Sequence, residues 1–77
     1  MIDEKDLLML TMLYNKPSTS LIEMQIAIQC RSVATVYNRI VELEALGLVS
    51  PPPIKKQARS RTITQKGIEL LRSNKLI

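Results

Sequence analysis

Residues 32–49 run SVATVYNRIVELEALGLV, and this stretch decides the fold of the chain. Ser32 is a good helix N-cap, because its hydroxyl can accept hydrogen bonds from the free N–H groups of a first turn. Apolar residues then recur at three- and four-residue spacing, which predicts a helix with one buried face. Gly47 can take the left-handed conformation that ends a helix, and Leu48-Val49 predicts a strand. The apolar positions of the helix are Val33, Val36, Ile40, Leu43 and Leu46.

The opposite face of this helix carries small and hydrogen-bonding side chains in its first two turns. At about 100° per residue, Ala34, Thr35 and Asn38 fall on that face, and Tyr37 and Arg39 flank it. The acidic residues come only later in the helix. A helix that enters the DNA major groove by its N-terminal end needs this arrangement, because acids there would meet phosphates. The alternative interpretation is an ordinary amphipathic surface helix.

Length and composition predict one small domain over residues 1–77, with a modest core. Cys30 is the only cysteine and there is no histidine, which excludes an intramolecular disulfide and argues against a zinc site. We expect no enzyme, cofactor or metal, since the sequence has no paired-carboxylate pocket and no glycine-rich phosphate loop. No apolar run approaches about 18 residues and no signal-like N-terminus is present, so we expect a cytoplasmic, nucleoid-associated protein and no membrane partner.

The charge of the chain is asymmetric. Residues 1–50 hold four basic and six acidic side chains, whereas residues 51–77 hold seven basic and one acidic. A basic half on a small cytoplasmic domain points to a polyanionic partner, most simply nucleic acid. Four of the cations are concentrated in one short segment, at Lys55, Lys56, Arg59 and Arg61.

Two helices are predicted before the central one. Asp3 can cap a helix over about residues 3–15, which is apolar nearly all round and should therefore be covered on two sides. One cover is the core, and a second copy of the chain is a plausible other. Ser20 and Glu23 fit a capping box that opens a helix over about residues 20–29. Its packing face is expected to comprise Leu21, Ile22, Met24, Ile26 and Ile28.

A β-hairpin and a last helix are predicted after the central helix, which spans about residues 33–46. Two short strands enclose three prolines and the basic segment, so residues 48–63 are predicted to form a hairpin, the wing, with a basic tip. Thr64 can cap a helix over about residues 65–74. Gly67 in its first turn indicates a close backbone approach.

These residues resemble a winged helix-turn-helix domain of the MarR- and PadR-like bacterial regulators. Residues 35–49 resemble the recognition helix and first wing strand, and residues 64–71 (TQKGIELL) resemble the Thr-x-x-Gly start of the helix after the wing. The resemblance implies an α+β, mostly helical fold: a three-helix bundle, a two-stranded β-hairpin wing and a C-terminal helix. Gln29-Cys30 stands where many relatives have glycine. The 77 residues also hold no counterpart of the extra terminal helices, so no small-molecule effector is expected.

The resemblance also implies a function, sequence-specific binding of double-stranded DNA by a small phage or prokaryotic regulator of transcription. Recognition-helix residues would approach base edges or nearby phosphates, and wing residues would touch the minor groove or backbone. A homodimer through the first and last helices is expected. The alternative is a winged-helix adaptor or inhibitor that binds a protein, for example a small phage protein acting on a host enzyme. The predicted DNA-binding residues are Arg31, Ser32, Ala34, Thr35, Tyr37, Asn38, Arg39, Lys55, Lys56, Arg59 and Arg61.

Overall fold

A computed structural model describes residues 2–50 and 61–77 of the protein. The fold is α+β and mostly helical, as the sequence predicts. Two short strands pair in antiparallel register, with Val49 opposite Ile63 and Ser50 opposite Thr62. The elements in chain order are α1 (Glu4–Asn15), α2 (Leu21–Ile28), α3 (Val33–Ala45), β1 (Val49–Ser50), β2 (Thr62–Ile63) and α4 (Gln65–Ser73).

The helix ends lie within one or two residues of their predicted positions. The predicted wing spans residues 48–63, and β1 and β2 are its two ends. The prolines and the basic segment between the strands, residues 51–60, lie outside the described residues. The structure therefore gives the base of the predicted wing, and the predictions for its tip remain predictions.

Helix α1 begins with a capping box that the sequence analysis did not predict. The Asp3 carboxylate accepts from the Asp6 backbone N–H at 3.0 Å, and the Asp6 carboxylate accepts from the Asp3 N–H at 3.2 Å. At α2 only half of the predicted box forms: Ser20 Oγ accepts from the Glu23 N–H at 3.1 Å. The Glu23 carboxylate contacts the Lys16 ammonium at 3.3 Å instead, because the chain before α2 brings that cation within reach.

The caps predicted for α3 and α4 are both formed. Ser32 Oγ accepts from the Thr35 N–H at 3.3 Å, and Thr64 Oγ1 accepts from the Gly67 N–H at 3.1 Å. The Thr64 hydroxyl also donates to the Gly47 carbonyl at 2.6 Å, so one side chain opens α4 and satisfies an acceptor just beyond α3. This bond fixes the start of α4 against the end of α3.

The three predicted packing faces meet in one core. Its members are at most 4% exposed, and α1, α2 and α3 contribute most of them. Burial of this size is the main term that stabilises so small a fold. The core consists of Met9, Leu10, Leu13, Met24, Ile28, Val36, Ile40, Leu43, Leu48, Val49 and Leu71.

Three predicted packing residues are exposed. Ile22 and Ile26 are 60% and 72% exposed, so the prediction that they pack was wrong. They lie on the side of α2 opposite Met24 and Ile28, one turn apart, and α2 is too apolar for periodicity to distinguish its two faces. Leu46, which follows α3, is also exposed, because the helix ends before it and its backbone leads into the left-handed Gly47.

Two backbone positions decide the packing around α3 and α4. A Cβ at Gly67 would lie 2.4 Å from the Leu48 carbonyl oxygen and 2.7 Å from Ile63 Cγ1, which confirms the predicted close approach. Gln29 ends α2 with φ of 57°, a left-handed conformation that glycine adopts far more readily than glutamine. The turn into α3 is therefore made without glycine, at a backbone cost of about 1–2 kcal/mol.

Candidate nucleic-acid interface

The outward face of α3 is the surface that the sequence analysis singles out, and the structure leaves it open to solvent. Ala34, Thr35, Tyr37, Asn38 and Val41 are all exposed on this face. They are held there because the apolar residues three and four positions apart anchor the opposite side of the helix in the core. We call these five residues the α3 face.

The polar groups on the α3 face differ in how far they are engaged. Thr35 Oγ1 lies 3.2 Å from the capping hydroxyl of Ser32, so these two hydroxyls form one small polar cluster at the helix N-terminus. In the part of the chain that the structure describes, the Asn38 amide and the Tyr37 hydroxyl make no hydrogen bond. The first turn of α3 contains no acid. The positive end of the helix dipole is therefore not neutralised by its own side chains.

Arg39 was predicted to meet phosphates, and the structure pairs it with α1 instead. Its Nη1 donates to Asp3 Oδ1 and Oδ2 and to Asp6 Oδ1, each at 3.1 Å. The Arg39 side chain is 25% exposed, and Asp6 is 4% exposed. The guanidinium therefore joins the middle of α3 to the N-terminal turn of α1 and supplies a cation to a buried carboxylate.

This network shifts the ionisation of two of its members. The pKa of Asp3 is below its ordinary value, because its carboxylate accepts from the Asp6 backbone N–H and from the Arg39 guanidinium. The pKa of Arg39 is above its ordinary value, chiefly through its hydrogen bond to Asp3 and also through Asp6. Both shifts stabilise the charged forms, so the network persists across neutral pH.

Arg61 was predicted to be an exposed wing cation, but its side chain is only 5% exposed. Its Nε donates to Glu44 Oε1 in a short hydrogen bond that links the last turn of α3 to the residue before β2. Sequence reasoning missed this ion pair because the two residues are 17 positions apart and meet only through the tertiary fold.

The remaining predicted cations divide into two groups. Arg31 is exposed, directly precedes the cap of α3, and forms no ion pair within residues 2–50 and 61–77. Lys55, Lys56 and Arg59 lie outside the described residues, so their contribution stays a prediction. Among the predicted DNA-contacting cations in the described part of the chain, Arg31 is thus the one that is both exposed and without an ion pair.

An apolar surface that the sequence analysis did not identify borders the N-terminus of α3. A groove of about 220 Å³ is lined by Ser20, Leu21, Ile22 and Val33. Ile22 continues along α2 to Ile26, and these are the most exposed large apolar side chains in the described part of the chain. The signal in the sequence was the excess of apolar residues in α2, which holds more of them than one buried face needs.

A second apolar groove lies along α1. It has a volume of about 360 Å³ and is lined by Glu4, Leu7, Leu8, Thr11 and Leu76. Leu8 is 40% exposed and Leu76 is 44% exposed. The sequence predicts that α1 is covered on a second side besides the core, and this groove is a candidate for that side.

Two other kinds of site are absent from the described residues. Residues 2–50 and 61–77 contain no group of three or more histidine, cysteine, aspartate or glutamate side chains placed to hold a metal ion. None of the helices in those ranges is long and apolar enough to cross a membrane.

Comparisons of the chain with protein-family models, with curated proteins and with solved structures find no match.

Proposed function

We propose that this protein is a sequence-specific double-stranded DNA-binding protein with a winged helix-turn-helix fold, and that it acts as a small transcriptional regulator. The observation that carries the proposal is the α3 face, which is exposed, has no acid in the first two turns of the helix, and has an amide, at Asn38, with no intramolecular partner among the described residues. A helix that reads base edges in a major groove needs these properties.

Two further observations support the proposal. Helices α2 and α3 follow one another through a short turn, and an antiparallel strand pair comes directly after α3, which is the element order of a winged helix-turn-helix. The chain also has an excess of basic residues after residue 50, and Arg31 adds an exposed cation beside the α3 N-terminus. Cations at these places would neutralise phosphates and supply the salt-dependent part of the affinity.

The first test measures fluorescence anisotropy of labelled random-sequence duplex DNA, titrated with the protein from low to physiological salt. We expect saturable binding that weakens steeply with salt, because counterions are released from neutralised phosphates. Absence of binding even at low salt would refute the proposal.

A pair of variants tests whether the DNA-binding surface lies on α3. Ala34→Glu adds an acid to the exposed first turn of α3, where the helix dipole tolerates it, so folding should be unaffected. We expect it to weaken DNA binding by about tenfold or more, through repulsion of phosphates. Ser73→Glu is the matched control, because it adds the same charge at the exposed end of α4. Equal effects of the two variants would mean that only net charge matters.

The second candidate function is a protein-binding adaptor or inhibitor, and the exposed Ile22 and Ile26 favour it. Exposed apolar side chains at the edge of a groove are typical of protein interfaces. An adaptor of this kind would be captured together with a defined protein partner, and Ile26→Ser would abolish that capture without changing DNA binding.

A further inference from the structure

The ion pair between Glu44 and Arg61 joins the end of α3 to the start of β2. Glu44 lies in the last turn of α3, and Arg61 directly precedes β2, where the chain returns from the basic segment. The Glu44 side chain is 22% exposed and that of Arg61 is 5% exposed. A guanidinium this deeply buried, with Nε bonded to a carboxylate, is poorly placed to reach a phosphate in solvent.

Few backbone hydrogen bonds join the two strands in the described part of the chain. The described ladder has only two residue pairs, and one further backbone bond, from the Thr64 N–H to the Leu48 carbonyl at 3.0 Å, continues it. So short a ladder specifies register weakly, and a slip by one residue would turn every side chain of β2 to the other face. A charge pair that ties the start of β2 to α3 removes this freedom.

We propose that Glu44 and Arg61 form a positioning pair that fixes the base of the wing against the recognition helix. This inference rests on the proposed DNA-binding function. A protein that contacts DNA through two elements at once needs them at a fixed separation. If either element is misplaced, the two no longer bind DNA together, and the affinity gained from joint binding is lost. Arg61 then acts through Glu44, and it contributes to DNA affinity without touching DNA.

The test uses a substitution for which the positioning role predicts a change in DNA affinity of the opposite sign to the usual one. Neutralising an acid in a DNA-binding protein normally strengthens binding, because repulsion of phosphates is relieved. The positioning role predicts the reverse for Glu44→Gln, a loss of about tenfold in affinity at constant salt, since a neutral amide holds the Arg61 guanidinium less strongly than a carboxylate does. Glu42→Gln is the matched control on the same helix: Glu42 is exposed and pairs with no cation in residues 2–50 and 61–77, so its loss should leave affinity unchanged or raise it.

The alternative role of Arg61, direct phosphate contact, gives the opposite pattern. Glu44→Gln would then release Arg61 and bind DNA as tightly as Glu42→Gln or more tightly, and this result would overturn the proposal. Arg61→Gln would lower the salt slope by about one phosphate in that case. In a positioning pair, the double variant Glu44→Gln/Arg61→Gln should bind no more weakly than the weaker of the two single variants.

A second double variant guards against loss of folding, since a buried guanidinium that loses its carboxylate partner is costly. Glu44→Met/Arg61→Met replaces the pair by apolar side chains, a change that often preserves or raises stability. We expect it to recover most of the affinity lost in Glu44→Gln. If it binds as weakly as Arg61→Gln, the charge of Arg61 is itself needed and the positioning role is refuted.

Amide hydrogen exchange separates this inference from the proposed function. The Thr64 N–H, bonded to Leu48, reports whether the strand pair is held. Exchange that is faster in Glu44→Gln than in Glu42→Gln supports the pair, and equal rates refute it, even if the wild-type protein should bind no DNA. Failure of the wild type to bind DNA at low salt would refute the DNA-binding proposal alone.

Discussion

Asn38 is the residue on which base recognition is expected to depend. An exposed amide on the α3 face can donate to and accept from the edge of one adenine, and such a bidentate pair discriminates by about 1–3 kcal/mol. Asn38→Ala should therefore lower affinity for the preferred operator, found by selection from random duplexes, far more than affinity for random DNA. Equal weakening on all sequences would contradict base recognition. Asn15→Ala, at the exposed end of α1, is the control and should leave both affinities unchanged.

Gly67 is the residue at which packing and helix propensity oppose each other. Alanine is the better helix former by about 1 kcal/mol, so Gly67→Ala would stabilise an unpacked helix. The added Cβ would, however, lie 2.4 Å from a backbone carbonyl that cannot move away as a side chain end would. We expect overpacking to prevail and to destabilise the fold by a net amount of about 1–3 kcal/mol, measured by urea denaturation. Glu69→Ala, at an exposed position of the same helix, is the control and should change stability little. A Gly67→Ala variant more stable than wild type would contradict the close contact between Gly67 and the Leu48 carbonyl.

At the scale of elements, Asp3 and Arg39 join the start of α1 to the middle of α3. Because the folded-state pKa of Asp3 lies below the ordinary value of 3.8, its contribution to stability is present above that pH and is lost as pH falls through the folded pKa. Asp3→Asn, which keeps a capping side chain, should be less stable than wild type at pH 6, and this difference should shrink as the pH falls below 3.8. Thermal melts across this range measure the difference.

The control for this prediction is Glu4→Gln. It removes the neighbouring carboxylate, which forms no ion pair within residues 2–50 and 61–77. We expect the acid limb of its stability profile to follow the wild type. An Asp3→Asn variant whose stability deficit did not shrink as the pH fell below 3.8 to the acid limit of the folded state would mean that the Asp3 charge contributes nothing to the link between α1 and α3.

The helices were predictable from the sequence because their signals are local. Ser32 and Thr64 each bond within three residues, and the apolar spacing of α3 defines one face. The partners of Arg39 and Arg61 could not be predicted, because they lie far away in the chain and only the packed fold brings them close. Both arginines were predicted to contact phosphates, and in the structure each forms ion pairs with carboxylates. The left-handed conformation of Gln29 could not be predicted either, because the packed fold imposes a backbone conformation that glutamine itself disfavours.

At the scale of the whole molecule, the apolar groove along α1 supports the expected homodimer. A second copy would cover Leu8 and Leu76, and dimerisation would place two α3 helices about 34–36 Å apart on a palindromic operator. We expect the wild type to sediment as a dimer at micromolar concentration. Leu8→Glu should dissociate it, because a charge in an apolar interface is costly.

The control for the dimer prediction lies on the other apolar surface. Ile26→Glu introduces the same charge at an exposed position of α2 and should leave the sedimentation coefficient unchanged. A monomeric wild type would contradict the predicted homodimer. A dimer that is dissociated by Ile26→Glu and not by Leu8→Glu would place the dimer interface on α2 instead of along α1.

The placement of the two tyrosines has an optical consequence. The protein has no tryptophan and no phenylalanine, so all its intrinsic ultraviolet emission comes from Tyr14, at the end of α1, and Tyr37, on the α3 face. Replacing Tyr14 by leucine leaves a single emitter on the surface proposed to meet DNA. Stacking or contact with bases would quench that emitter, whereas a partner bound along α1 would leave its surroundings unchanged. The chain thus carries its own reporter of which face is occupied, with no dye attached.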